Sequence, residues 1–342
     1  MGNSDLTRTG LAADYKEKAI MQTVTRRDFF GTGMAAAGCL TAGAFRLEAY
    51  PLGMPLGFQS FGVREQIGKD FPGTLKAAKA IGYDSIELCS FKGYAKQGFG
   101  PLADMKPADI RKVIKDAGMI APSSHIQWAE FDDPVIDQSI EWATGIGLKY
   151  MTLSMARRAT TMEEWKQIFG LMNKYGERVK KAGMLFGYHT HSDEWKKLDG
   201  VMVFDEMLRS IDPKNCVYQL DLAGTMSNGI DAGEYMAGHP GRFFSLHLKD
   251  VKKRPPEAAA APPPPPPPPA TEGQPGPGRG RGMANFPGSL AVGQGDIDWK
   301  SVFVGAKKGG IKNYFVEMEV RPPTDPMEAM KVSADYLRKL KV

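Results

Sequence analysis

The feature that most constrains the fold is an alternation repeated along most of the chain. Short apolar runs at 56–61, 85–88, 120–124, 150–153, 185–188, 217–220, 243–246 and 314–316 are separated by segments with helical periodicity, such as FPGTLKAAKAIG, KPADIRKVIKDAG and MEEWKQIFGLMNKYGERVKKAG. Strands buried on both faces read as continuous apolar runs, and intervening helices make them parallel. Gly82, Gly118 and Gly183 each follow a helical segment, where a left-handed residue stops a helix. Eight such units predict an α/β fold of the (β/α)8 barrel type. Without residues 1–44 and a proline-rich stretch at 251–288, about 260 residues remain, close to the ~250 typical of such a barrel. A doubly wound sheet is the competing arrangement. It would place a glycine-rich phosphate turn after the first strand, and GFQSFGVREQIG is not one.

Two segments stand outside the alternation. TRRDFF at 25–30, a Gly/Ala-rich run and an A-x-A pattern before Phe45 read as a twin-arginine signal peptide over 1–44. The export machinery is then a partner, the location is periplasmic or otherwise exported, and the barrel occupies 45–342. The run holds four glycines and falls short of the ~20 apolar residues of a membrane span. A lipid anchor at Cys39 is the alternative, but Ala36 stands where a leucine is usual. The second segment, 251–288, contains eight consecutive prolines and a Gly/Arg tail. It reads as an insertion in the loop after the seventh strand. Cys89 and Cys216 read as buried thiols beside strands. The net charge of +5 comes without a basic run interleaved with aromatics, which argues against nucleic acid as a partner.

Barrel active sites form where strands end, so the residues just past each apolar run are informative. The second strand leads to Glu87, the third to His125, the fifth to His189 and His191, and the sixth to Asp221. The seventh leads to His247, Lys249 and Asp250, and the eighth to Glu317 and Glu319. Four of the five histidines in the chain thus collect at one end. His189, Asp221, His247 and Glu317 come at the ends of four consecutive strands and form a candidate ligand set for one divalent metal. Imidazole with carboxylate suits Mn²⁺, Co²⁺, Zn²⁺ or Fe²⁺, and suits Mg²⁺ less well.

The motifs GYHTHSDEW, VYQLDLAG, FSLHLKD, VGQGDIDW and YFVEMEV, in order and one per strand, resemble the xylose isomerase-like TIM barrels known as sugar phosphate isomerases/epimerases. A branch with a YHNH-like motif, which includes lyases acting on 3-keto-glycosides, is the most similar. The resemblance implies Asp221, His247 and Glu317 as metal ligands, with His189 where many epimerases carry a glutamate. It implies metal-assisted removal of a proton alpha to a carbonyl, through an enediolate. A sugar isomerase or epimerase is the expected activity, with a β-eliminating lyase or dehydratase as the alternative within enzymes. A non-catalytic carbohydrate-binding barrel is the alternative outside them. Glu317 or His191 is the expected base, and Lys249 is expected to stabilise charge on oxygen unless it merely pairs with Asp250. Glu87, His125 and Trp128 are the expected substrate contacts. No multi-arginine phosphate cradle is evident, since Arg157 and Arg158 are the only close pair at the strand ends. The expected small-molecule substrate is therefore a non-phosphorylated sugar or keto-sugar.

Overall fold

The computed structural model describes residues 50–252, 289–319 and 325–342. The signal-peptide reading and the proline-rich insertion therefore lie outside the described residues. Eight parallel strands close into a barrel: β1 (Gly57–Gln59), β2 (Ser85–Cys89), β3 (Ile120–Ile126), β4 (Tyr150–Leu153), β5 (Leu185–His189), β6 (Val217–Asp221), β7 (Phe243–Leu248) and β8 (Asn313–Val316). They pair in sequence order, and β8 closes on β1 through Gly57↔Phe315 and Phe58↔Val316. This is the (β/α)8 barrel that the alternation predicts. A two-stranded antiparallel hairpin, Lys197–Leu198 with Val201–Met202, is inserted after β5 and stands outside the barrel sheet.

The helices begin and end where local chemistry requires. Thr161 and Glu164 form a reciprocal capping box at the start of Met162–Lys181. Gly118 and Gly183 take φ of 68° and 81°, conformations costly for a residue with a Cβ. Outward-facing strand residues such as Phe58, Ile86, Leu88, Leu220 and Leu246 are fully buried beneath this helical layer. Cys89 and Cys216 are free and buried, as expected.

Several strands run past the ends of these apolar runs. The apolar runs end at 124, 188, 220 and 246, yet the ladder continues to pair His125 with Thr152, His189 with Gln219, and Asp221 with His247. The polar residues therefore sit on rigid sheet rather than on loops. That placement fixes the site.

Candidate metal centre

Side chains two apart on a strand share a face, and the inward face of this barrel is polar. At its upper level it carries His125 (β3), His189 (β5), Asp221 (β6), His247 (β7) and, just past β8, Glu317. All five are at most 5% exposed. Their donor atoms converge in two overlapping groups, His189/Asp221/Glu317 and His125/His189/His247, with the atoms of each group within 4.8 Å of one another.

His189 is the common member. Its Nε2 lies 3.7 Å from Asp221 Oδ2, and its Nδ1 is buried without a hydrogen-bond partner among the described residues. Burial, with His247, His191, His125 and Lys249 nearby, holds its pKa well below the usual imidazole value, so the ring is neutral and has lone-pair density to offer. Asp221 Oδ1 accepts from Gly224 N at 2.8 Å at the start of a short helix, which aims Oδ2 into the centre. A Cβ at Gly224 would lie 3.0 Å from the backbone of His191, so a side chain there would push that backbone by a few tenths of an ångström.

Lys249 joins the carboxylates. Its ammonium sits 2.8 Å from Asp221 Oδ2, 2.7 Å from Glu317 Oε2 and 2.9 Å from Glu319 Oε2. Burial alone would lower its pKa, but Asp221, Glu317 and Glu319 hold it well above the ordinary lysine value. Burial likewise opposes ionisation of Glu317, and Lys249 and His247 override it to keep the carboxyl well below its usual range. Asp250 is not the partner of Lys249. Its carboxylate turns the other way, accepting from Val251 N, Gly293 N and Trp299 Nε1 at 2.8–2.9 Å, and it pins the 289–299 segment to the end of β7.

His247 is held at both nitrogens. Nδ1 faces Glu317 Oε2 at 3.1 Å and Nε2 faces Glu87 Oε2 at 2.5 Å. Burial disfavours its charge, but Glu317 and Glu87 outweigh that and raise its pKa to about 10. Glu87, expected among the substrate contacts, is instead completely buried on the barrel axis. It accepts from Ser123 Oγ at 2.7 Å and Gln219 Nε2 at 2.8 Å besides His247, so its bonds are to the protein. Sequence reasoning missed Gln219, Ser123, Thr152 and Ser245, which complete this network beneath the centre. Ser123, Gln219 and Ser245 stand two residues before His125, Asp221 and His247, and that spacing is the signal that could have found them.

His191 lies above His189, ring against ring at 4.7 Å, and its Nδ1 is also buried without a partner among the described residues. Its backbone N donates to Glu194 Oε2 at 2.9 Å, and Tyr188 Oη donates to Glu194 Oε1. Glu194 is therefore an anchor for the His191 loop, a role that its sequence position does not suggest. His125 Nε2 bonds Gln219 Oε1 at 2.8 Å. The contacts of Trp128 are to another neighbourhood: its ring meets Tyr175 edge-on and carries the Arg157 guanidinium 4.7 Å from its centre.

The donor set fits a divalent ion. A neutral, unpartnered imidazole with two convergent carboxylates is the mixture that Mn²⁺, Fe²⁺, Co²⁺ and Zn²⁺ accept. His247 would present Nδ1, since Nε2 is taken by Glu87.

A profile of the family described as xylose isomerase-like TIM barrel matches residues 75–340. The chain belongs to this family. Among curated relatives it is similar to inosose dehydratase of Clostridium perfringens (strain 13 / Type A), 27% identical over 181 residues, covering 52% of this chain and 54% of that protein. The chain spans about half the length of the curated relatives it matches. A solved sugar phosphate isomerase/epimerase from Parabacteroides distasonis ATCC 8503 is 23% identical, with a TM-score of 0.65 over 87% of this chain and 96% of that one. The IOLI protein with a bound zinc atom is 15% identical, with a TM-score of 0.59 over 82% and 96%. At such identities these two structures share the barrel fold with this chain, and that is all they establish.

Proposed function

We propose that this xylose isomerase-like barrel is an exported, divalent-metal-dependent lyase. It removes the proton alpha to a carbonyl of a non-phosphorylated keto-sugar or 3-keto-glycoside and expels the β-oxygen substituent. The metal would be held by His189, Asp221, His247 and Glu317. When bound, it supplies Lewis-acid polarisation of a carbonyl and its neighbouring hydroxyl.

The observation that carries this reading is the 2.7 Å contact between Lys249 Nζ and Glu317 Oε2. Glu317 takes the α-proton, and the electron pair of the broken C–H bond becomes the new double bond. The β-carbon–oxygen bond breaks, and Lys249 gives a proton to the departing oxygen. Glu317 then returns its proton to Lys249 across the existing contact, and both groups are reset. His191 and His125 hold substrate hydroxyls. Base and acid thus stand side by side on the β7–β8 arc, which suits loss of proton and leaving group from one face.

Epimerisation, one of the two activities first expected, fits less well. Proton return to the opposite face calls for a second carboxylate across the centre. The β3–β5 arc offers His125, His189 and His191 at that level, and the curated similarity to inosose dehydratase points the same way. A non-phosphorylated substrate is supported by the engagement of Arg157, which pairs with Asp132 and covers Trp128.

Proton NMR in D₂O over a panel of keto-inositols and 3-keto-glycosides tests the reading. A lyase gives an unsaturated product with release of water or alcohol. Deuterium incorporation at carbon with every substituent retained would instead establish an isomerase or epimerase.

A further inference from the structure

Glu87 lies on the barrel axis, below the candidate metal centre, and belongs to neither group of converging donor atoms. A fully buried carboxylate is costly unless its oxygens are engaged. Here they are engaged by groups from three other strands: Ser123 on β3, Gln219 on β6 and His247 on β7. Ionised, Glu87 only accepts hydrogen bonds, and this sets the direction of everything bonded to it.

The consequence for His247 is direct. Its Nε2 is 2.5 Å from Glu87 Oε2, so Nε2 carries a proton and donates it. The other nitrogen, Nδ1, faces Glu317 at 3.1 Å. The consequence for His125 passes through an amide. Gln219 Nε2 is 2.8 Å from Glu87 Oε1 and 3.2 Å from Ser245 Oγ. The reverse amide orientation would set oxygen against carboxylate oxygen, so the NH₂ faces Glu87. Gln219 Oε1 then faces His125 Nε2 at 2.8 Å and can only accept, so His125 Nε2 carries the proton.

We propose that Glu87 is a positioning residue that fixes both histidines from one point, so that His247 and His125 each donate Nε2–H away from the centre and direct Nδ1 toward it, the Nδ1 proton that His247 shares with Glu317 leaving when a metal binds. For His247 this rests on the metal-dependent reading above, with Nδ1 as the metal's nitrogen. For His125 it leaves Nδ1 as an acceptor for a substrate hydroxyl. One carboxylate thereby sets a ligand and a substrate contact on opposite sides of the barrel. A carboxylate behind a ligating histidine fixes ring orientation and raises ligand basicity, and its loss weakens metal binding about 10–100-fold.

The test uses the full chain with zinc as probe and ¹H–¹⁵N imidazole spectra, with and without zinc, as a second readout. In the wild type, Nε2 of both His247 and His125 is protonated. Glu87→Gln loses the His247 signature and weakens zinc binding about 10–100-fold. Gln219→Leu changes the His125 signature and leaves Nε2 of His247 protonated on Glu87. A wild-type His247 or His125 with Nε2 unprotonated overturns the proposal, as does a folded Glu87→Gln variant that binds zinc as tightly as wild type. Wild-type protein that takes up no zinc contradicts the metal reading instead. The nitrogen spectra still decide the role of Glu87 in that case, and also if Glu87→Gln does not fold.

Discussion

Replacing Lys249 with methionine removes the cation that, among the described residues, contacts all three of Asp221, Glu317 and Glu319, and it keeps most of the side-chain volume. Each contact, at 2.7–2.9 Å, corresponds to about 6 kcal/mol of Coulomb attraction at an effective dielectric of about 20. Most of that attraction is offset by the desolvation of the buried ions, and removing one partner of a buried charge group costs about 3–5 kcal/mol net. For a domain of this size the loss corresponds to a Tm lower by about 10 °C. The chelated variant is therefore expected to unfold about 3–5 kcal/mol more easily than chelated wild type. Saturating Mn²⁺ or Zn²⁺ recovers more stability in the variant, because a divalent cation compensates the same carboxylates. Turnover falls by a factor of about 10²–10⁴, the usual contribution of a general acid. Denaturant unfolding of both proteins, with chelator and with metal, checks each point. A variant within about 1 kcal/mol of wild type and no more responsive to metal would refute the charge argument, since a solvated surface pair contributes no more than that.

Other residues give separate expectations. Asp250→Ala strands four N–H donors, from Val251, Gly293, Ile297 and Trp299, and lowers stability by about 4 kcal/mol, read by denaturant unfolding. Because it also frees the segment covering the end of β7, activity falls with it. Glu194→Ala releases Tyr188 Oη and the backbone of His191. It lowers kcat about 10²-fold, the scale of an ~1 Å misplacement, while a metal titration stays at the wild-type value.

The barrel was legible because strands buried on both faces must be continuously apolar, and eight such runs leave few alternatives. The candidate ligands were legible for a related reason. A histidine or carboxylate directly after an apolar run has no packing role to explain it, and His189, Asp221, His247 and Glu317 all stand there. What the sequence hid is the third dimension of the interior. Glu87 looks like another strand-end acid. Only closure of the barrel shows that it reaches across the axis from β2 to His247 on β7, below the mouth. Gln219 and Ser123 were overlooked for the opposite reason, as polar residues within the strand runs rather than after them. Lys249 and Asp250, adjacent in sequence, suggested a pair, but neighbours on a strand point to opposite faces. One therefore enters the centre, and the other binds the loop behind it.

On the proposed reading, His189, Asp221, His247 and Glu317 hold one divalent metal ion that the reaction requires. The most direct test of that reading is metal stoichiometry on the purified full chain, by elemental analysis after exposure to Mn²⁺, Co²⁺, Fe²⁺ or Zn²⁺ in turn, with Asp221→Asn measured alongside. One tightly held ion per chain is expected for at least one of these metals, with its loss in Asp221→Asn and activity that follows occupancy. No stoichiometric metal in the wild type with any of the four, or full activity after complete chelation, would contradict it.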